Sequence, residues 1–184
     1  AVAQLTSEDG ISVLTAGIVS AFSAEQISKI PSASFAKIAP AAITGLTSKN
    51  IVSMSDDQLK ALTADQAALL TPDAVKALKT GNVDGGNATD LTSAAFAAIT
   101  PTSLKAMAPA TLAAMHTSTF AGITPEQTAA LTTAQVKALT NDQITKLINE
   151  SIGSDNLSII DGMQRTESLR QAILSNHLHP RRFC

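Results

Sequence analysis

The chain has 184 residues, with 13 basic and 15 acidic side chains, no Trp, no Tyr and five Phe. A formal charge of −2 leaves no basic footprint for nucleic acid, and no run of 18 or more apolar residues is present to span a membrane. Apolar residues make up 45% of the chain, drawn from Leu, Ile, Val, Met and much Ala, which suits thin, closely packed layers better than a wide interior with aromatic anchors.

The opening AVAQLTSEDG has neither a charged n-region nor an apolar h-region, so no signal peptide is expected in it. From Ser7 the chain reads in eights. Ser23–Ile30 is SAEQISKI, Ser55–Leu62 is SDDQLKAL and Thr71–Leu78 is TPDAVKAL. The frame resumes at Thr92, and Thr132–Leu139 is TTAQVKAL. Nine octads fill 7–78 and seven fill 92–147.

Each column has a physical cause. Position 8 is apolar in all sixteen octads, and position 5 is large and apolar in fourteen, failing at Ala67 and Thr128. Those two positions are i, i+3 and share one helix face. Position 1 is Ser or Thr twelve times and position 4 is Gln six times. A hydroxyl with Gln three residues later is a capping box: the hydroxyl accepts the N3 amide, and the Gln side chain accepts the N-cap amide. Pro40, Pro72, Pro101, Pro109 and Pro125 occupy position 2, the first helical residue, where a missing N–H does no harm.

Seven acids fall at position 3, and lysines gather at positions 6 and 7, as the helix dipole favours. Asp57–Lys60 and Asp73–Lys76 have the spacing of modest ion pairs. Small residues at position 7, with glycine at Gly45 and Gly122, let backbones approach. His116 falls in the position-1 column as a substituted cap.

Each octad is thus a helix of about one and a half turns, too short to be stable alone in water. Long amphipathic helices are excluded by the recurring Ser/Thr-Pro starts. Strands are excluded by Ala, Lys, Asp, Gln and the placement of Pro. The expected fold is all-α: a superhelical α-solenoid of one-to-two-turn helices, with two or three octads per superhelical turn.

Residues 79–91 interrupt the array with Gly81, Gly85 and Gly86 and read as a loop. Leu91 keeps the position-8 register, so the net insertion is five residues. Asn82, Asp84, Asn87 and Asp90 loosely resemble a cation loop, but the EF-hand spacing and its terminal Glu are absent, and no metal or cofactor is expected.

After Leu147 the pattern fades. Residues 1–147 are therefore read as the octad array, 148–174 as degenerate repeats with a capping helix near 166–174, and 175–184 as a flexible tail. His177, His179 and Cys184 in that tail make too thin a ligand set for a metal. Cys184 is the only cysteine, so no internal disulfide forms. In an oxidising setting it would link a homodimer. Asn87, Asn149 and Asn156 head glycosylation sequons, which matter only in a secreted eukaryotic protein.

The octads TPDAVKAL, TPEQTAAL, TTAQVKAL and SDDQLKAL resemble the tandem octapeptide tracts of large microbial surface and secreted proteins, over residues 7–147. There is a looser similarity to the superhelical repeats of the mesothelin and stereocilin family. TPDAVKAL is also similar to the opening helix of transcription-activator-like effector repeats, but the period, the charge and the missing base-reading dipeptide speak against DNA reading. The first resemblance implies a stalk or adhesive module with no catalytic residues.

The carboxylates sit in repeat columns, and no nucleophile–base order, phosphate loop, CxxC or HExxH motif is found, so no enzyme is expected. The sequence points to a non-enzymatic structural or protein-interaction module of a surface or secreted protein, located extracellularly or at the cell surface. Its partner would be another protein or a cell surface, not a nucleic acid. A host-directed effector that binds an intracellular protein is one alternative. An ice- or surface-binding protein, suggested by the hydroxyl column, is another.

Overall fold

A computed structural model describes residues 10–11, 13–78 and 90–153, with the side chains of 149–153 outside that description. The described residues form fifteen helices and no strand. In chain order these are α1 (Ala16–Ser20), α2 (Ala24–Ser28), α3 (Ser32–Phe35), α4 (Pro40–Ile43), α5 (Ser48–Ile51), α6 (Asp56–Lys60), α7 (Ala64–Ala68) and α8 (Pro72–Ala77). Then come α9 (Ser93–Ala98), α10 (Pro101–Leu104), α11 (Pro109–Ala114), α12 (Thr117–Phe120), α13 (Pro125–Ala130), α14 (Thr133–Ala138) and α15 (Asn141–Gly153). The fold is all-α and repeats with the octad.

The helices stop because the next cap begins. Ser55, at φ −76° and ψ 163°, is extended, and its hydroxyl accepts the Gln58 amide while the Gln58 side chain accepts the Ser55 amide. The same reciprocal box forms at Ser23, Thr47, Thr63, Thr124 and Thr132. Thr140 and Gln143 make both bonds as well. Thr15, Thr71, Thr92 and Thr100 cap the N3 amide without the return bond. Every described Ser or Thr at position 1 is therefore an N-cap.

Where position 1 lacks a hydroxyl, at Pro31, Ala39, Ala108 and His116, no side-chain cap bond forms. The His116 imidazole does not replace the missing oxygen. The prolines of position 2 all sit in the first helical turn. Ile148 occupies position 1 of what would be the next octad and offers no cap, and α15 runs 13 residues through it. The boundary expected at 147 thus falls inside a helix.

One face of every helix is buried. The position-5 and position-8 columns form a single continuous core, including Phe35, Met54, Leu59, Leu78, Leu104 and Phe120. The two position-5 exceptions stay inside: Ala67 is buried, and buried Thr128 satisfies its hydroxyl by donating to the Thr124 carbonyl at 3.0 Å. Burying one Leu or Ile side chain stabilises by roughly 1.5–3 kcal/mol, so the columns, not helix propensity, hold these short helices. Phe96 and Phe120 meet with ring centroids 5.6 Å apart.

Contacts between helices follow a fixed step. Before the interruption each helix packs on the third helix along: α1 on α4, α2 on α5, α3 on α6, α4 on α7 and α5 on α8. After it, α9 packs on α12, α10 on α13, α11 on α14 and α12 on α15. Across it the step shortens to two, α7 on α9 and α8 on α10. Residues 79–89, which hold most of the expected loop, lie outside the described residues, as do the expected capping helix and tail.

The glycines of position 7 mark the closest approaches. A Cβ on Gly45 would overlap the Ala16 backbone carbonyl, and one on Gly122 would overlap the Ser93 carbonyl. No helix among the described residues is long and apolar enough to cross a membrane.

Candidate functional surface

The column that sets the architecture is position 4. Five of its six glutamines are buried and Gln26 is half-buried, although a capping box needs only an acceptor at a helix start. The reason lies on the other end of the amide. Gln58 Nε2 donates to the carbonyls of Ile27 at 2.7 Å and Ile30 at 2.6 Å. Gln66 does the same to Phe35 and Ile38, Gln127 to Phe96 and Ile99, Gln135 to Leu104 and Met107, and Gln143 to Leu112 and Met115. In each case the acceptors lie 31 and 28 residues earlier.

These are the position-5 and position-8 carbonyls. Ile27 O already accepts the Ile30 amide at 3.1 Å, and a carbonyl has room for a second donor. Each glutamine therefore closes its own cap with Oε1 and ties a distant segment with Nε2, leaving no buried amide hydrogen bond unmade.

Shorter polar side chains repeat the link. Asn50 Nδ2 donates to Phe22 O at 2.9 Å, Ser103 Oγ to Leu70 O at 2.8 Å, Thr111 Oγ1 to Leu78 O at 3.2 Å and Thr119 Oγ1 to Leu91 O at 3.4 Å. Across the interruption the spacing is 33 residues, and it returns to 28 at Thr119–Leu91. The spacing is thus five residues longer where it spans residues 79–90, and Leu91 serves as a position-8 carbonyl.

The long-range role was missed in the octad columns because a capping box already explains glutamine. One signal for it was there. No position-4 residue is charged, although Glu serves a capping box as well as Gln does. Burial disfavours a carboxylate there, and Gln adds an NH₂ group that Glu lacks.

The outer surface carries position 3 without exception among the described octads, and most of positions 1, 2 and 6. Asp57, Asp65, Asp73, Glu126 and Asp142 face solvent, as do Lys60, Lys76, Lys105 and Lys137. The expected ion pairs are corrected here: neither Asp57–Lys60 nor Asp73–Lys76 forms. Lys60 instead reaches Asp90, 30 residues away in sequence, at 3.3 Å. Lys29 does pair within its helix, with Glu25 at 2.5 Å. The hydrogen bond from Lys29, and then its charge, hold the Glu25 carboxyl below its usual value.

Lys60, Asp90, Ser93, His116 and Thr119 border an open groove of about 330 Å³. Of the loosely cation-like residues, Asp90 is committed to Lys60, and Asn82, Asp84 and Asn87 lie outside the described residues. No cluster of three or more His, Cys, Asp or Glu that could hold a metal occurs among the described residues. Of the sequon asparagines, Asn149 falls within α15, while Asn87 and Asn156 lie outside the described residues, as do His177, His179 and Cys184.

No family model, curated protein or solved structure matches this chain.

Proposed function

We propose that the chain is a helical solenoid that acts as a structural or protein-interaction rod, in the manner of surface-protein repeat tracts, with no catalytic role. A step of three helices, with amide links at 28 and 31 residues, corresponds to about three and a half octads per superhelical turn. The observation that carries this reading is the regularity of the ladder. Five glutamines make one and the same two-carbonyl bridge. Stability then accrues from nearest-neighbour turns, as in other stacked repeats, and the charged positions 3 and 6 lie on the outer surface, where partners would meet them. Against the ice-binding alternative stands the use of the position-1 oxygens as amide acceptors, which fixes them by capping geometry.

Two measurements test the proposal. Small-angle X-ray scattering should give an elongated particle with a constant cross-section; a compact globule contradicts the rod. Antibody against the outer face should label intact cells of the producing organism. Labelling only after permeabilisation contradicts a surface location and favours the intracellular effector alternative.

A further inference from the structure

The amide ladder is uneven along the array. In the first half, Asn50, Gln58 and Gln66 reach carbonyls between Phe22 and Ile38. In the second, Gln127, Gln135 and Gln143 reach carbonyls between Phe96 and Met115. Between Gln66 and Gln127 no described position-4 residue carries an amide. Ala74 and Ala95 are buried and offer no polar group. Ser103, Thr111 and Thr119 each reach one distant carbonyl, from a hydroxyl, at Leu70, Leu78 and Leu91. Asn87 falls in the same register and lies outside the described residues.

The octads without an amide are 71–78 and the four from 92 to 123. In the stacking reading above, that is more than one superhelical turn, so a whole interface between turns lacks the two-carbonyl bridge. Apolar packing holds it instead: α9 packs on α7, α10 on α8, and one core runs through. The Lys60–Asp90 pair also crosses it, but the Lys60 side chain is 56% exposed and solvent weakens such a pair. Buried alanines leave no polar side chain unsatisfied, so the interface is sound at rest. It differs from the turns on either side in the directional bonds that tie one turn to the next.

We propose that this interface is a seam at which the array parts first, leaving two blocks, residues 15–78 and 92–147, that each unfold as a cooperative unit. Stacked repeats are stabilised through their neighbours, so a thinly tied interface is where cooperativity breaks. Each block keeps its own amide bridges and its own part of the core. A rod built this way yields at one place under load while both halves stay folded. This proposal rests on the ladder and stacking readings above.

The test is residue-resolved native-state hydrogen exchange of the whole chain at pH 7, comparing wild type with Gln58→Glu and Gln127→Glu. The reporters are position-5 and position-8 amides, each bonded within its own octad: Ile27, Ile30, Leu59 and Leu62 in one block, and Thr128, Leu131, Val136 and Leu139 in the other. Gln58→Glu should speed exchange of the first set at least about tenfold and leave the second unchanged. Gln127→Glu should do the reverse, and the effect of either should stop between Leu78 and Leu91. Where a variant unfolds its own block outright, protection kept in the other block supports the seam. Loss of protection in both blocks overturns it, as does an effect that fades evenly with distance from the substitution. The ladder is judged by the same data. Gln58→Glu exchanging as the wild type throughout fails the ladder and the seam with it; acceleration shared by both sets leaves the ladder standing and removes only the seam.

Discussion

Gln58 Nε2 lies 2.6 Å from the carbonyl oxygen of Ile30, 28 residues before it, while Oε1 of the same side chain accepts the Ser55 amide at 2.9 Å. One amide therefore ends one helix's isolation and starts another. The local bond fixes where a helix begins. The distant bonds fix which earlier turn it lies on.

Replacing that amide with a carboxylate separates the two roles. Gln58→Glu keeps an acceptor for Ser55 but turns charged oxygens toward the Ile27 and Ile30 carbonyls in a fully buried site. The expected loss at neutral pH is about 3 kcal/mol or more, the scale of an uncompensated buried charge. Burial among carbonyls raises the folded-state pKa of the new carboxyl. The deficit should therefore shrink as pH falls through that raised value and be smallest below about 4.3, the ordinary Glu value, where the protonated acid is able to donate one hydrogen bond. Urea melts at pH 7 and pH 4 check both the size and the sign.

Glycines of the array should divide by what faces them. Gly45→Ala and Gly122→Ala drive a methyl into a backbone carbonyl, and each should cost about 1–3 kcal/mol or abolish folding. Gly17, an exposed helical residue whose nearest crowding atom is Thr15 Oγ1 at 3.9 Å, is the contrast. Gly17→Ala should stabilise by about 0.5–1 kcal/mol. Thermal denaturation of the three variants measures the split.

Missing caps are the cheapest defects to repair. Ala108 and His116 start α11 and α12 from extended backbone with no side-chain bond. Ala108→Thr and His116→Thr should each add about 1 kcal/mol, and Thr132→Ala should remove a similar amount. Chemical denaturation midpoints at an unchanged m-value are the readout.

The Lys29–Glu25 pair should do little. Lys29 lowers the Glu25 carboxyl, so whatever stability the pair contributes is present above the ordinary Glu pKa and is lost as pH falls through the lowered one. Both side chains are solvated, and salt screens such a pair. Glu25→Gln should leave Tm unchanged within error at neutral pH in physiological salt.

How much of this was legible in sequence depends on the range of each interaction. Caps, proline starts and the buried position-5 and position-8 columns are local, and Ser55, Pro72 and Leu62 sit where the octad spacing puts them. The Lys60–Asp90 pair was not legible, because its partner lies 30 residues away in sequence and arrives only when distant helices pack together. The distant half of Gln58 was hidden for a different reason. Its local half was a sufficient account of the residue, so nothing prompted a second role. The length of α15 turns on the absence of a cap at Ile148, which a column count treats as mere fading of the pattern.

The central claim is that position-4 amides hold successive turns together, beyond capping their own helices. Thermal melts of Gln26→Glu, Gln58→Glu and Gln127→Glu, measured side by side at pH 7, test it most directly. All three keep the capping box. Gln58 and Gln127 each lose two bonds to distant carbonyls, whereas Gln26 makes none to a distant carbonyl among the described residues. The account predicts a large fall in Tm for the second and third and almost none for the first. Equal Tm values for all three would contradict it.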